Sequence, residues 1–302
     1  MKITAKPISR RTKGILCILV AAFGFSMMTV FIKLVGSEVP TAEKAFFRNI
    51  VALLLVGGMM LKQKVSLRPE KGNWPYLAGR AVFGTIGLLL NFYAVEQLVL
   101  ADANMLNKLS PFFAILFSIL LLREKPTAVQ LVGVIVALLG SILIIKPGFE
   151  NTALLPSLAG FISGAAAGLA YTFVRKLGMR GENSLRIVFY FSLFSSFMTL
   201  PFFLLSPVRL TGHQLLLLIL TGCSACLGQF GITKAYLYAP AKEISVYDYS
   251  QVLFAAGLGY LFFRQMPDAW SVVGYILICG AGIGMFLYNR HADRKKMSSQ
   301  EE

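Results

Sequence analysis

LLREKPTAVQLVGVIVALLG, residues 121–140, returns as FFRQMPDAWSVVGYILICGA at residues 262–281, and this repetition decides the architecture. Each copy begins at the end of an apolar run, carries an arginine (Arg123, Arg264), turns at a proline (Pro126, Pro267) and resumes an apolar run with a glycine in the same place (Gly133, Gly274). The offset is 262 − 121 = 141 residues, and it holds without a gap from Gly87 to Ile145. Within that stretch Gly87 falls on Gly228, Ala94 on Ala235 and Phe113-Ala114 on Phe254-Ala255. Self-similarity over a span this long marks an internal duplication, so the chain reads as two related halves.

What surrounds the repeat is membrane-like. Of 302 residues 56% are hydrophobic and only 14% charged, and the mean hydropathy is +0.69; a soluble domain carries about a quarter charged residues. Prolines, glycines and charges divide the chain into ten apolar segments, near 14–35, 42–61, 75–96, 101–122, 128–145, 154–175, 185–205, 214–236, 242–263 and 269–289. About 20 helical residues cross the hydrocarbon core. Segments of this kind are helices, because lipid satisfies no backbone polar group, and a barrel would alternate polar and apolar residues. The expected fold is an all-α integral membrane protein of ten transmembrane helices. The run from Gly14 to Val35 is too long for a signal-peptide core and lacks a small-x-small cleavage site, so it is taken as the first span.

The charges orient the chain. The net charge of +15 lies in clusters between apolar runs: the tail before Gly14, the Lys62–Lys71 loop, Arg123 with Lys125, the Arg175–Arg186 stretch, Lys242 and the Arg290–Lys296 tail. All fall on one side, which the positive-inside rule makes cytoplasmic, with both termini there. The basic balance thus indicates a membrane surface rather than nucleic acid. An odd number of crossings per half inverts the second half, giving two five-helix repeats related by an axis in the membrane plane, a feature of many secondary transporters. The expected division is a cytoplasmic basic tail (1–13), a first repeat (14–146), a second repeat (154–289) and a cytoplasmic tail (290–302).

At this point the residues resemble a known family. LLREKP closing the fourth span before QLVGVIVALLG, its echo in the second half, and FFRNIVALLL (residues 46–55) in the second span are similar to the EamA-type branch of the drug/metabolite transporter superfamily. The resemblance implies ten helices in inverted repeats around a cavity lined mainly by the third, fourth, eighth and ninth, moving small organic solutes. It also matches Arg48 to an arginine common in the family. Gln265 departs from the pattern, standing where the first half has Glu124, the usual acidic residue at that helix end.

Polar residues inside the apolar spans nominate a site. Asn104, Asn107, Lys108 and Pro111 are spaced i, i+3, i+4, i+7, which on a continuous helix is one face. Adding 141 gives Ser245, Asp248, Tyr249 and Val252 on the ninth span, with Tyr247, Ser250 and Gln251 beside them. A Lys or Asp at the helix centre costs about 2.5–3.5 kcal/mol on insertion scales, so both are expected to face a cavity or a partner. Helix rise separates their backbones by about 10 Å in depth, so a direct pair is one arrangement and shared contact with a substrate another. Asn91 on the third span and Gln229 and Thr233 on the eighth would add hydrogen-bonding groups to the same cavity, helix–helix bonding being their alternative. Tyr247 and Tyr249, with Tyr93 and Tyr236 near by, are candidates to stack on substrate. Arg80, Arg48 and Glu43, with Lys44, form a candidate charge network: Arg80 either neutralises Asp248 or, as favoured, snorkels to the headgroups, and Glu43, Lys44 and Arg48 form an extracellular gate or a local salt bridge.

Other patterns point to packing. Gly160, Gly164 and Gly168, and Gly280 with Gly284, recur every four residues and are expected to let helices approach closely. Cys223 and Cys226 form a CxxC inside an apolar span without the further ligands a zinc site needs, and no Walker A or catalytic constellation is present. The expectation is therefore a secondary active transporter of a small polar organic metabolite, an amino acid or derivative being the candidate, working by alternating access in the cytoplasmic (inner) membrane. No catalytic residue, metal or cofactor is assigned. Proton coupling and exchange are both compatible with it, as are monomer and homodimer. The alternative is a membrane-embedded enzyme acting on lipid or lipid-linked substrates, for which Glu43, Arg48 and Asp102 would be the candidates.

Overall fold

The computed structural model describes residues 10–122, 126–146, 153–205, 208–238 and 245–298. Eleven α-helices and one 3-10 turn appear among them: α1 (Arg10–Val35), α2 (Thr41–Lys62), α3 (Trp74–Gln97), α4 (Leu100–Asn107), α5 (Ser110–Leu122), α6 (Ala128–Ile145), α7 (Leu154–Met179), α8 (Ser184–Leu205), α9 (Gly212–Tyr238), the turn Ser245–Tyr249, α10 (Ser250–Phe263) and α11 (Ala269–Ser298). Nine segments of the described residues are long and apolar enough to span a bilayer, α4 and α5 counting together as one. The ninth of the ten expected spans escapes that test because it is broken: five residues of 3-10 turn precede a 14-residue helix. The fourth is broken as well, at Lys108 and Leu109. Pro111 supplies the cause, since it has no N–H for the carbonyl of Asn107, and Leu109 and Phe112 instead make the tighter i→i−3 bonds, to Leu106 and Leu109.

The packing displays the inverted repeat. α1 lies on α9 as α7 lies on α3; α10 lies on α1 as α5 lies on α7; α9 lies on α2 as α3 lies on α8. Exchanging the halves converts the first member of each pair of contacts into the second. Two contacts map onto themselves, α2 with α8 and α6 with α11, and the fourth and ninth spans meet through α4 and α10. Glycines shared by the repeats sit at these crossings. A Cβ on Gly87 would stand 3.2 Å from the Ser163 carbonyl of α7, and one on its equivalent Gly228 would stand 2.6 Å from the ring of Phe25 on α1. Gly160, Gly164 and Gly168 face α4 and α5 in the same close manner. Gly280 and Gly284 depart from expectation: a Cβ on either meets nothing within 4 Å, and it is Gly282 between them that is covered, by Tyr249.

Burial runs inside out with respect to a soluble protein. α4 is almost wholly enclosed, with Leu100, Ala101, Ala103, Met105 and Leu106 at 0% exposure, while Leu61, Leu120, Phe202, Leu205 and Leu253 stand on the periphery more than 60% exposed. An apolar exterior of this extent belongs in lipid. The chain is a multi-pass membrane protein.

Each end of the bundle is tied by polar residues. At the end carrying the α3–α4 turn, Lys44 pairs with Glu96 at 2.9 Å, Thr41 Oγ1 donates to Glu96, and Lys33 Nζ donates to the Leu98 carbonyl. At the opposite end Glu182 joins the α2–α3 loop to the α7–α8 turn. It accepts from Asn73 Nδ2 at 2.8 Å, from the backbone N–H of Glu70 and Asn183, and from Arg186 Nη1. Burial opposes ionisation of this carboxyl, yet these donors outweigh it and hold Glu182 below the ordinary glutamate range. Because the folded state favours the ionised form, the stabilisation is complete above the ordinary pKa, about 4.3, and disappears as pH falls through the folded value. Glu182→Gln should therefore lower stability by roughly 3 kcal/mol at neutral pH, read by thermal unfolding of the purified protein. The gap to wild type should close on acidification; a gap independent of pH would refute the assignment.

Candidate functional site

The two helix breaks occupy equivalent places in the two halves. Lys108 is the C-cap of α4, and 108 + 141 = 249 is Tyr249, the N-cap of α10. Interrupted helices free backbone groups and turn side chains into the bundle, which is why breaks at matching positions mark binding sites in inverted-repeat transporters. Here they bring the two intramembrane charges together. Lys108 Nζ lies 2.5 Å from Asp248 Oδ2, with side-chain exposures of 11% and 22%. The side chains close the depth between the two backbones. Asp248 Oδ1 remains buried with no hydrogen-bond partner, so one lone-pair face of the carboxylate is unused.

The residues around the pair separate into three directions. Asn104 points to the α1 and α10 side: its Oδ1 accepts from Gln251 Nε2 at 2.7 Å, and its Nδ2 donates to the Leu100 carbonyl and, at 3.4 Å, to Thr29 Oγ1. Ser26 Oγ on α1 donates to the Gln251 carbonyl at 2.9 Å, completing a tie of α1, α4 and α10. Asn107 turns instead to α7, donating to Ser163 Oγ at 3.4 Å. Lys108 alone meets Asp248. The single polar face expected of a continuous helix is thus shared among three separate partners.

Tyr247 packs toward Ile18 and Ala235, and Tyr249 lies over Gly282 of α11; both are packing residues in this conformation. Asn91 is buried on α3. The side chains of Thr233, Tyr236 and Ser245 fall outside the described residues, as does Glu124. Gln265 accepts from the backbone N–H of Leu100 at 3.2 Å, so this amide caps the first turn of α4 with the same kind of oxygen a glutamate would offer.

Two expectations need correction. Arg80 neither neutralises Asp248 nor snorkels: its guanidinium lies 4.1 Å from the Phe191 ring centroid inside the bundle, and Lys108 takes Asp248. Glu43, Lys44 and Arg48 do not form a network. Glu43 and Lys44 are neighbours and diverge by about 100°; Lys44 reaches Glu96 on α3, and Arg48, one turn further on, lies beside Phe191 of α8 and donates to Asn49 Oδ1 at 2.6 Å. Asp102 accepts from Tyr275 OH at 2.5 Å, a tie from α4 to α11 that sequence reasoning missed because neither residue belongs to a motif.

A cavity of about 550 Å³ begins at Pro111, just past the Lys108 turn, and is lined by Ala114, Ser118, Gln130, Tyr171, Thr172 and Arg175 among others. It lies toward the end that carries Glu182, and its size is that of small-molecule sites. On the other side of the Lys108–Asp248 pair, α4 packs directly against α10. Gln229 lines a second, much smaller cavity of about 20 Å³ with Arg48, Arg80, Phe191 and Cys226. Cys226 is buried and Cys223 exposed, both as free thiols. Among the described residues no three His, Cys, Asp or Glu side chains converge as a metal site would require.

This arrangement agrees with the chain's similarity to known proteins. A solved crystal structure superposes with a TM-score of 0.63 over 92% of this chain and 98% of that one at 18% identity, a likeness of fold. The pseudopaline exporter of Pseudomonas aeruginosa is 34% identical over 90% of this chain and 95% of its own length. Human solute carrier family 35 member G1 is 28% identical over 90% of this chain, and the S-adenosylmethionine uptake transporter of Rickettsia prowazekii is 23% identical over 96% of both chains. The EamA-like transporter family matches twice, at residues 12–146 and 154–288. The chain belongs to the EamA-like transporter family and is a membrane transporter of small metabolites.

Proposed function

We propose that this transporter carries a small polar solute bearing both ammonium and carboxylate groups, an amino acid or derivative, by alternating access between the halves 14–146 and 154–289. The observation that carries the reading is the Lys108–Asp248 pair at two symmetry-equivalent helix breaks. In the substrate-free state the two charges satisfy each other and close the path between halves. A solute with complementary ends replaces them, its ammonium on Asp248 and its carboxylate on Lys108, so the cost of parting the pair is offset by two new ion pairs. Burial of Asp248 Oδ1 without a partner supports this, since a second donor on the substrate has an acceptor waiting. By the basic loops, both termini are cytoplasmic in the inner membrane. The 550 Å³ cavity then lies on the cytoplasmic side of the pair, and the tight α4–α10 contact closes the outside.

Alternating access requires that helices of the two halves shift against each other across their shared interface, which runs through α1–α9 and α3–α7 as well as α2–α8, α6–α11 and α4–α10. The enzymatic alternative is not favoured: Asp102 is taken by Tyr275, and Arg48 faces Asn49 and Phe191 rather than Glu43. The test begins with a thermal-shift screen of amino acids, their acylated derivatives and amino-acid-containing metabolites on purified protein. A stabilising compound is then loaded into proteoliposomes. The expected result is saturable counterflow of the unmodified solute without an imposed gradient; chemical conversion with no counterflow would refute transport of that solute and favour the enzyme.

A further inference from the structure

Two arginines inside the bundle have no carboxylate partner among the described residues. Arg48 on α2 is 8% exposed, and its guanidinium carbon lies 5.5 Å from the Phe191 ring centroid. Arg80 on α3 lies 4.1 Å from the same ring. Its guanidinium makes no ion pair and no hydrogen bond among the described residues. The Nε atoms of both side chains are buried without a partner. Arg48 reaches one acceptor, the neutral Asn49 Oδ1. Two like charges brought together in a low-dielectric interior on one aromatic ring are unfavourable as they stand, because a cation–π contact recovers less than desolvation of each ion costs.

The placement of Arg80 argues that this is a held position. Helical side chains lean toward the N-terminus of their helix, and for Arg80 that is also the direction of the nearer membrane face, about 9 Å away at Trp74. Its guanidinium goes the other way. A Cβ added at Gly84, one turn deeper, would overlap Arg80 Nη1 and come within 2.9 Å of the Phe191 ring. Glycine at 84 leaves the space in which the guanidinium rests. The cavity that these groups line holds about 20 Å³, room for one water, and its walls come from both halves: Arg48 and Arg80 from the first, Phe191, Cys226 and Gln229 from the second. Parting the halves enlarges it.

From this geometry we infer that Arg48 and Arg80 form an anion subsite for a carboxylate of the transported solute, separate from the Lys108–Asp248 pair, so that the cargo carries a net negative charge. The inference rests on the transport reading above and deepens it. Lys108 is balanced by Asp248; no carboxylate among the described residues balances the two arginines, and a second carboxylate on the solute supplies one. Planar guanidinium forks suit a carboxylate through paired N–H···O bonds. Phe191 holds the cations in place of the anion while the site is empty.

The test uses purified full-length protein with citrate and malate as probes, against chloride at matched ionic strength. Both carboxylates should raise the melting temperature of wild type. Arg80→Met should raise the melting temperature of the unliganded protein, because it removes an uncompensated charge, and weaken citrate binding at least tenfold. Gly84→Ala keeps both charges but displaces the guanidinium, and should also weaken citrate. Lys108→Ala should lose transport yet retain a citrate-dependent shift, which separates failure of the main pair from failure of the anion subsite. The inference is overturned if neither probe shifts wild type, if Arg80→Met responds to citrate as wild type does, or if Arg80→Met destabilises the unliganded protein and Arg80→Lys restores it. It is overturned as well if the shift appears only with phosphatidylglycerol, since the site would then take a lipid phosphate.

Discussion

Lys108→Ala should reduce counterflow by at least about a hundredfold while leaving the protein folded in the membrane. The size follows from what is lost. A substrate carboxylate without its ammonium partner forfeits a charge-assisted contact in a partly dehydrated site, worth about 3 kcal/mol when a partner is left unpaired, and 1.4 kcal/mol is a factor of ten. Stability should fall as well, because Asp248 is left without its ion pair; the partial exposure of both side chains puts this near 2 kcal/mol rather than the 3–5 of a fully buried pair. Asp248→Asn should behave alike. The double variant Lys108→Met/Asp248→Asn discriminates between roles. A mere tie between halves, replaced by neutral groups of similar volume, recovers both stability and transport. A binding pair recovers stability alone. Thermal unfolding and proteoliposome counterflow on the same preparations read the two quantities, and recovery of transport in the double variant would sink the assignment.

The architecture was legible because a duplication leaves a periodic trace that single-residue chemistry does not. Gly87 and Gly228 match in the sequence, and each proves to sit at a close helix crossing, so backbone packing preserved the resemblance. Lys108 and Asp248 were legible for another reason: a charge in an apolar run has few stable outcomes, and pairing is one. The interruption of α4 was not read from Pro111, since the i, i+3, i+4, i+7 spacing presumes a continuous helix that the missing N–H prevents. Arg80 was misplaced for an opposite cause. Snorkelling is the default for an arginine one or two turns from a membrane face, and the features that reverse it, the ring of Phe191 and the gap at Gly84, are 107 residues apart in sequence, counting 191 − 84. Gly280 and Gly284 share the spacing of Gly160 and Gly164 but not their neighbours. Spacing shows which residues share a helix face, not what lies opposite.

Gly164→Ala should lower stability by about 3 kcal/mol, whereas Gly284→Ala should change it by no more than a few tenths or raise it. The two substitutions are chemically identical and each sits in a four-residue glycine spacing. At Gly164 a Cβ would stand 2.5 Å from the Leu106 carbonyl oxygen and 3.5 Å from Leu109 Cβ. A backbone oxygen inside an enclosed helix cannot rotate away, so α4 or α7 has to shift, at the upper end of the 1–3 kcal/mol typical of overpacking. At Gly284 nothing lies within 4 Å, and replacing glycine in a helix removes backbone freedom from the unfolded chain and favours folding by about 0.5–1 kcal/mol. The consequence for function comes from what lies beside the clash. Leu106 and Leu109 bracket the turn at Lys108, and on its far side a Cβ on Gly168 would stand 2.7 Å from the Ser110 carbonyl oxygen. Together the two glycines seat the broken segment of the fourth span on α7. Displacing that segment by a few tenths of an ångström moves Lys108 relative to Asp248, so Gly164→Ala should lose counterflow beyond what its reduced folded fraction explains. Equal stability losses at 164 and 284, or full activity per folded molecule in Gly164→Ala, would show that α7 does not hold the Lys108 turn in position.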